Sequence, residues 1–180
     1  MKAALKTILA FAVAALLMLA FRSLAFTVYT VGGYGLAPEL TKGDRVLVNR
    51  WSYGLRTGAG GGLFGYGRLC RRMPVRGDLV AFDSPSDSIP GVLVCRCTAL
   101  PGDTVRTAGG VMVVPGKVIC ADEDCYWMEA VGEGNATDSR VLGPVPERYI
   151  IGRVSMVIYS HDDALPVYEG YSADRLFMMK

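Results

Sequence analysis

Few side chains in this chain are equipped for chemistry. Of 180 residues one is a histidine, His161, and five are cysteines, at 70, 95, 97, 120 and 125. A single imidazole excludes a multi-histidine metal site. Cys95 and Cys97 sit two apart in the apolar run Gly91–Leu100. On a strand they share one face, which disfavours a mutual disulfide, and a zinc site would need two further ligands that the sequence does not offer. As nucleophiles they would need a neighbouring base or cation to form thiolate. Arg96 points to the other face, and His161 lies far along the chain in a polar stretch that reads as a solvated turn. Ser160-His161-Asp162 is contiguous, whereas triad members converge from separate segments. Cys120 and Cys125 flank the acidic turn Ala-Asp-Glu-Asp and read as a disulfide staple, leaving an odd thiol among the rest. No metal or cofactor is expected.

The elements that must carry these residues read as short strands and turns. Twenty-two glycines and nine prolines punctuate the chain, against an average glycine usage of about 7%. Strands are expected at Arg45–Asn49, Leu79–Phe82, Gly91–Leu100 and Tyr149–Tyr159, with a hairpin around Val111–Val114 between Gly109-Gly110 and Pro115-Gly116. This spacing predicts an antiparallel barrel or coiled sheet. The glycine-rich stretch 54–67 lacks the Gly-Lys-Ser/Thr ending of a phosphate loop and reads as an exposed loop. Arg68, Arg71, Arg72 and Arg76 read as a solvated loop cluster, and Trp51 and Trp127 as interfacial or packed. With a net charge of +2, the chain lacks the basic footprint of a nucleic-acid binder.

The N-terminus sets the expected compartment. Lys2 and Lys6 precede an apolar run from Thr7 to Phe21 that Arg22 ends. The run fits two readings: a single spanning helix with its N-terminus inside, or a cleavable signal peptide ending near Ser23-Leu24-Ala25. In both, the remainder lies outside the cytoplasm and is near neutral, with 16 basic and 17 acidic residues. The expected division is a cytoplasmic tip and anchor at 1–26 and a β domain at 27–180, with a small hairpin insertion at about 104–128.

An ordered series of motifs then carries a family resemblance. Leu36-Ala-Pro-Glu-Leu40 with Gly43-Asp44-Arg-Val-Leu-Val-Asn49, Arg76-Gly-Asp-Leu-Val-Ala-Phe82, Arg96 to Leu100-Pro-Gly-Asp103, Asp138-Ser-Arg140 with Gly143-Pro-Val-Pro146, and Asp174-Arg-Leu-Phe177 resemble, in order, the boxes of bacterial signal peptidase I. The resemblance implies a retained single-pass anchor in the bacterial inner membrane. It also implies a mostly antiparallel β domain outside, and exported preproteins or signal peptides as ligands.

The chemistry of that family does not carry over. The resemblance implies a serine nucleophile and a lysine general base, because a hydroxyl needs a proton acceptor and a lysine accepts only when desolvated. The matching positions hold Gly35 and Cys95, and a supporting serine position holds Ala136. Thr30 is the nearest upstream aliphatic hydroxyl, and none of Lys2, Lys6, Lys42, Lys117 and Lys180 lies on an apolar strand. Tyr34, Leu36, Val94 and Cys97 are the expected groove residues. Pro101, Gly102 and Asp103 are expected to build a turn, and Asp138 with Arg140 or Arg96 a buried charge pair. Three readings follow: a non-catalytic homologue that binds exported segments or assists an active paralogue, a peptidase with relocated chemistry at Cys95 or Cys97, and a plain secreted β domain.

Overall fold

A computed structural model of the chain describes residues 2–32, 35–37, 39–58, 65–119, 121–130, 132 and 137–160, with side chains in the N-terminal helix described from 6 to 19 and at 25. Helix α1 (Lys2–Ala25) leads without a loop into β1 (Phe26–Thr30). Then follow β2 (Arg45–Asn49), β3 (Leu55–Thr57), β4 (Gly67–Leu69), β5 (Leu79–Asp83), β6 (Val92–Ala99), β7 (Thr104–Thr107) and β8 (Gly110–Val113). After them come β9 (Cys125–Glu129), the one-turn helix α2 (Ser139–Leu142), β10 (Val145–Pro146) and β11 (Ile150–Tyr159). Seven strands form one antiparallel sheet in the order β1-β2-β11-β5-β6-β9-β10, and β3–β4 and β7–β8 form separate two-stranded ribbons. The mainly β, antiparallel architecture is the expected one.

Alternation along the central strands explains why the sheet is covered on both faces. In β5, Leu79 and Ala81 enter one cluster, with Val46, Val48, Ile151 and Val154, while Val80 and Phe82 enter the other, with Tyr126, Met128 and Ile150. Both sets of β5 side chains are buried, so the strand reads as a continuous apolar run rather than an alternating one. The ten-residue β11 joins the halves of the sheet. Its first part pairs with β5 and its later part with β2, and register shifts interrupt both ladders, a local device that bends a strand. At Gly152 a Cβ would overlap the Asn49 carbonyl, so only glycine lets β2 approach.

Four sequence expectations change. The first is the membrane-spanning helix: among the described residues no helix is long and apolar enough to cross a membrane. Helix α1 runs over 24 residues, Lys2–Ala25. Its large apolar side chains are nonetheless exposed, from 47% at Val13 to 73% at Phe11 and Met18. The second is the Cys120–Cys125 disulfide. Cys125 is a free, buried thiol at the start of β9, packed with Ala99, Val114 and Trp127 beneath the β7–β8 ribbon. Strand pairing turns it into the core rather than toward a loop partner, and Cys120 lies outside the described residues. Third, the glycine-rich stretch is not wholly a loop, because Leu55–Thr57 pairs with Gly67–Leu69 at its ends.

The fourth concerns the arginines. Arg68 is not solvated, and Arg71, though its side chain is 38% exposed, is tied to buried carboxylates. The Arg68 side chain is 1% exposed and donates to the carbonyls of Gly54 at 3.0 Å, Glu147 at 2.9 Å and Ile150. Arg71 forks onto the Glu147 carboxylate at 2.8 and 2.6 Å and also reaches Asp124. Asp124 and Glu147 are almost fully buried. Their hydrogen bonds to Arg71 hold that guanidinium protonated well above its ordinary range. Removing one partner strands the others, which for a buried pair costs about 3–5 kcal/mol. Glu147→Ala is therefore expected to destabilise the protein by about 3 kcal/mol, read as a lowered urea midpoint, whereas Arg72→Ala, outside the cluster, leaves the midpoint within error.

Candidate functional site

The connection between β1 and β2, residues 31–44, carries Gly35. Its base is closed by backbone bonds from Val31 N–H to the Asp44 carbonyl at 2.8 Å and from Gly43 N–H to the Val31 carbonyl at 2.9 Å. The buried Asp44 carboxylate accepts from the Thr41 N–H at 2.8 Å and its hydroxyl at 3.2 Å. Leu36 and Leu40 pin the loop by entering the cluster on the β2 side of the sheet. Gly35 is thus part of a fixed turn, and its carbonyl accepts from Gly132 N–H at 2.7 Å.

Cys95 lies on β6 and faces the opposite way. Val94 packs against the cluster that holds Leu36, while Cys95 and Cys97 enter the cluster of Val80, Phe82 and Tyr126. Of the expected groove residues, Leu36 and Val94 therefore share a face. Cys97 is fully buried on the other face with its sulfur 3.8 Å from its Ala99 acceptor, and Tyr34 lies outside the described residues, as do Ala136 and His161. The segment after β9 touches both matched positions: Gly132 meets Gly35, and the Thr137 carbonyl lies 3.9 Å from the Cys95 sulfur.

Both strand thiols are held protonated. Burial pushes Cys95 up to about 12, and the Asp138 carboxylate adds to the shift. Burial likewise pushes Cys97 up to about 12, with Asp78 and Asp103 contributing. At pH 7 the thiolate fraction is about one in 10⁵, and an activated cysteine nucleophile needs the reverse environment. Among the described residues no group of histidine, cysteine and carboxylate side chains is arranged to hold a metal ion.

The charged residues singled out from the sequence have structural partners. Asp138 is fully buried and caps α2, accepting from Arg140 N–H at 2.9 Å, from the Arg140 guanidinium at 2.8 Å and from Ala130 N–H at 3.1 Å. Of the two arginines considered for it, Arg140 is the one used; Arg96 instead pairs with Glu39 and donates to the Gly77 carbonyl at 2.7 Å. Leu100-Pro101-Gly102-Asp103 forms a tight turn, with Asp103 N–H bonded to the Leu100 carbonyl at 3.0 Å and Gly102 at φ +89°, the position where such a turn requires glycine. The Asp103 carboxylate accepts from Arg76 and from Leu100 N–H at 2.6 Å. Sequence reasoning missed Glu39, because nothing local marks a pair with Arg96 that is 57 positions away.

Two predictions follow from these environments. In a Cys120→Ser background, a disulfide-exchange reagent should label Cys70, which is exposed, quickly, and Cys95, Cys97 and Cys125, which are buried, only after unfolding. Rapid native labelling of Cys95 would contradict its placement. The second concerns acid. Burial raises the Asp138 pKa, but the bonds from Arg140 and from the backbone N–H groups outweigh it and leave it below the ordinary value. Asp103 is lowered chiefly by Arg76. A carboxylate depressed in the folded state stabilises above its unfolded pKa, about 3.9, and that stabilisation is lost as pH falls through the folded value. Stability measured by urea titration should fall below about pH 4, with a shallower fall in Asp138→Asn.

The comparisons with known proteins agree with this architecture. A family model described as signal peptidase, peptidase S26, matches residues 4–124. The chain is 24% identical over 161 residues to probable signal peptidase I-2 of Synechocystis sp. (strain ATCC 27184 / PCC 6803 / Kazusa), covering 78% of this chain and 66% of that protein. It is 34% identical over 89 residues to mitochondrial inner membrane protease subunit 1 of Mus musculus, covering 49% of this chain and 52% of that protein. Against signal peptidase I of Pseudomonas fluorescens it is 33% identical over 96 residues, covering 50% of this chain and 30% of that protein. The matches thus span between 30% and 66% of these relatives' own lengths. With its β1–β2 turn, β5–β6 pair and Leu-Pro-Gly-Asp turn all inside a match covering more than half its length, the chain belongs to the signal peptidase, peptidase S26, family.

Proposed function

We infer that this chain is a non-catalytic member of its family that holds an extended segment of an exported protein without cutting it. The observation that carries the reading is the pair of residues at the matched dyad positions. Gly35 offers no nucleophile. Cys95 offers a thiol that burial keeps protonated, where the resemblance calls for an amine that accepts a proton. What remains is a surface suited to binding. β6 pairs with β5 from Val92 to Arg96, but with β9 only from Arg96 onward. Among the described residues, the β9-side edge of Val92–Cys95 has no ladder partner. An extended peptide can add to such an edge through its backbone, with Leu36 and Val94 beside it on one face.

The setting is part of the same reading. We take residues 1–26 as a membrane-associated segment and 27–180 as the β domain, placed outside the cytoplasm. The exposed apolar side chains of α1 favour contact with lipid, and the mouse relative is named for an inner membrane. The ligands would be preproteins or their signal peptides, and an active paralogue is a natural partner for a protein that binds but does not cut.

The test is cleavage of a preprotein by the purified full chain in detergent, beside a Gly35→Ser/Cys95→Lys variant. The native chain is expected to leave the preprotein intact and to retain it in a pull-down. Turnover by the native chain would overturn the reading, and loss of that turnover in Cys95→Ala would then identify the thiol as its source.

A further inference from the structure

Glu39 and Arg96 form an ion pair that nothing in the family comparison assigns. Glu39 stands on the β1–β2 connection four positions after Gly35, and Arg96 stands on β6. Alternation along β6 puts Arg96 on the same face as Val94, the face that Leu36 and Leu40 cover from the connection. Arg96 is also the residue at which β6 begins to pair with β9, so it sits at the inner end of the edge that has no ladder partner among the described residues. Its guanidinium is oriented from a second side by the Gly77 carbonyl at 2.7 Å. The Glu39 side chain is 52% exposed and that of Arg96 26%, so the pair lies at the mouth of this face rather than within the core.

We propose that Glu39 is a positioning residue: its ion pair with Arg96 clamps the Gly35–Leu40 turn against this edge of β6 and holds the two sides of the peptide-binding face in register. The inference rests on the binding reading above. Apolar packing of Leu36 and Leu40 fixes the height of the turn over the sheet, but apolar contact is non-directional. The charge-assisted bond supplies the direction along the strand.

The test uses a fluorescently labelled, extended Ala/Leu-rich peptide and the full chain in detergent at pH 7. Glu39→Gln should weaken binding about two- to fivefold, the scale of a partly exposed pair, with the unfolding midpoint unchanged. Raising the salt concentration should weaken binding by the native chain and not by Glu39→Gln. Arg96→Glu, which sets two carboxylates face to face, should weaken binding further, and Glu39→Lys/Arg96→Glu should restore part of the loss. A simple packing role would not produce that charge-swap rescue. Equal affinity of the native chain and Glu39→Gln would overturn the clamp while leaving the binding reading in place. Absence of binding by every variant would overturn the binding reading, and the clamp is then decided by hydrogen exchange. The Leu40 amide, bonded to the Leu36 carbonyl at 3.0 Å, should exchange faster in Glu39→Gln, and an unchanged rate would overturn it.

Discussion

Glu147 is the group on which the packing of this domain turns. It lies between the last strand and the segment that follows α2, and its carboxylate is buried with two arginines on it. A buried carboxylate without partners is costly by several kcal/mol, so the elements that carry Arg68 and Arg71 must close over it. Arg68 brings β4 and, through the Gly54 carbonyl, the start of the β3–β4 ribbon. Arg71 brings Asp124 and with it the base of the β7–β8 ribbon, where Asp124 also accepts from Lys117 N–H at 2.9 Å. The Glu147 N–H donates to the Asp124 carbonyl at 2.9 Å. Side chain and backbone thus join segments from four regions of the chain at one point. Salt-bridge energy alone does not justify the arrangement; its effect is to make one docking of the ribbons against the sheet far better satisfied than any other.

From that fixed side the sheet extends to the candidate site. β5 and β6 supply a floor covered on both faces, and β11 bends to join β2 to β5. The β1–β2 connection lies on one face, while the thiol at the matched base position is turned to the other. A proton relay needs a nucleophile and a base within hydrogen-bond reach in a site that lowers the base's pKa. In the proposed reading the turn, the strand and the capped Asp138 frame the site, and the positions matched to the dyad hold a glycine and, on the opposite face of the sheet, a buried thiol. The framing residues have work to do in any folded member: Asp103 and Asp138 satisfy backbone N–H groups that would otherwise be buried without partners. Retention of those boxes is therefore explained by folding alone and carries no implication of turnover.

What was legible in the sequence was whatever local pattern controls. β2, β5, β6 and β11 stand out because β-branched and apolar residues run between glycine, proline and aspartate turns, and the structure places them within a residue or two of the expected bounds. Pro101-Gly102 dictates its turn through φ preferences that act on two residues at a time. The same-face relation of Cys95 and Cys97 follows from the two-residue period of a strand. That the positions the resemblance matches to the dyad hold Gly35 and Cys95 is read from residue types and the order of the motifs alone.

Tertiary structure decided everything that depends on distance between segments far apart in the chain. Arg68 and Arg71 read as solvated because their acidic partners lie far along the chain, 53 positions away for Asp124 and 76 or more for Glu147. Cys125 read as half of a staple because spacing was all that was visible, but strand pairing turned it into the core. β3 and β4 were hidden because a three-residue ribbon is too short to show a period. Asp138 had two arginines to choose from, and only the fold sent Arg96 to Glu39 and left Arg140 for the cap. The physical reason is common to all four: local backbone preference acts over a few residues, whereas burial and ion pairing are settled by which surfaces meet.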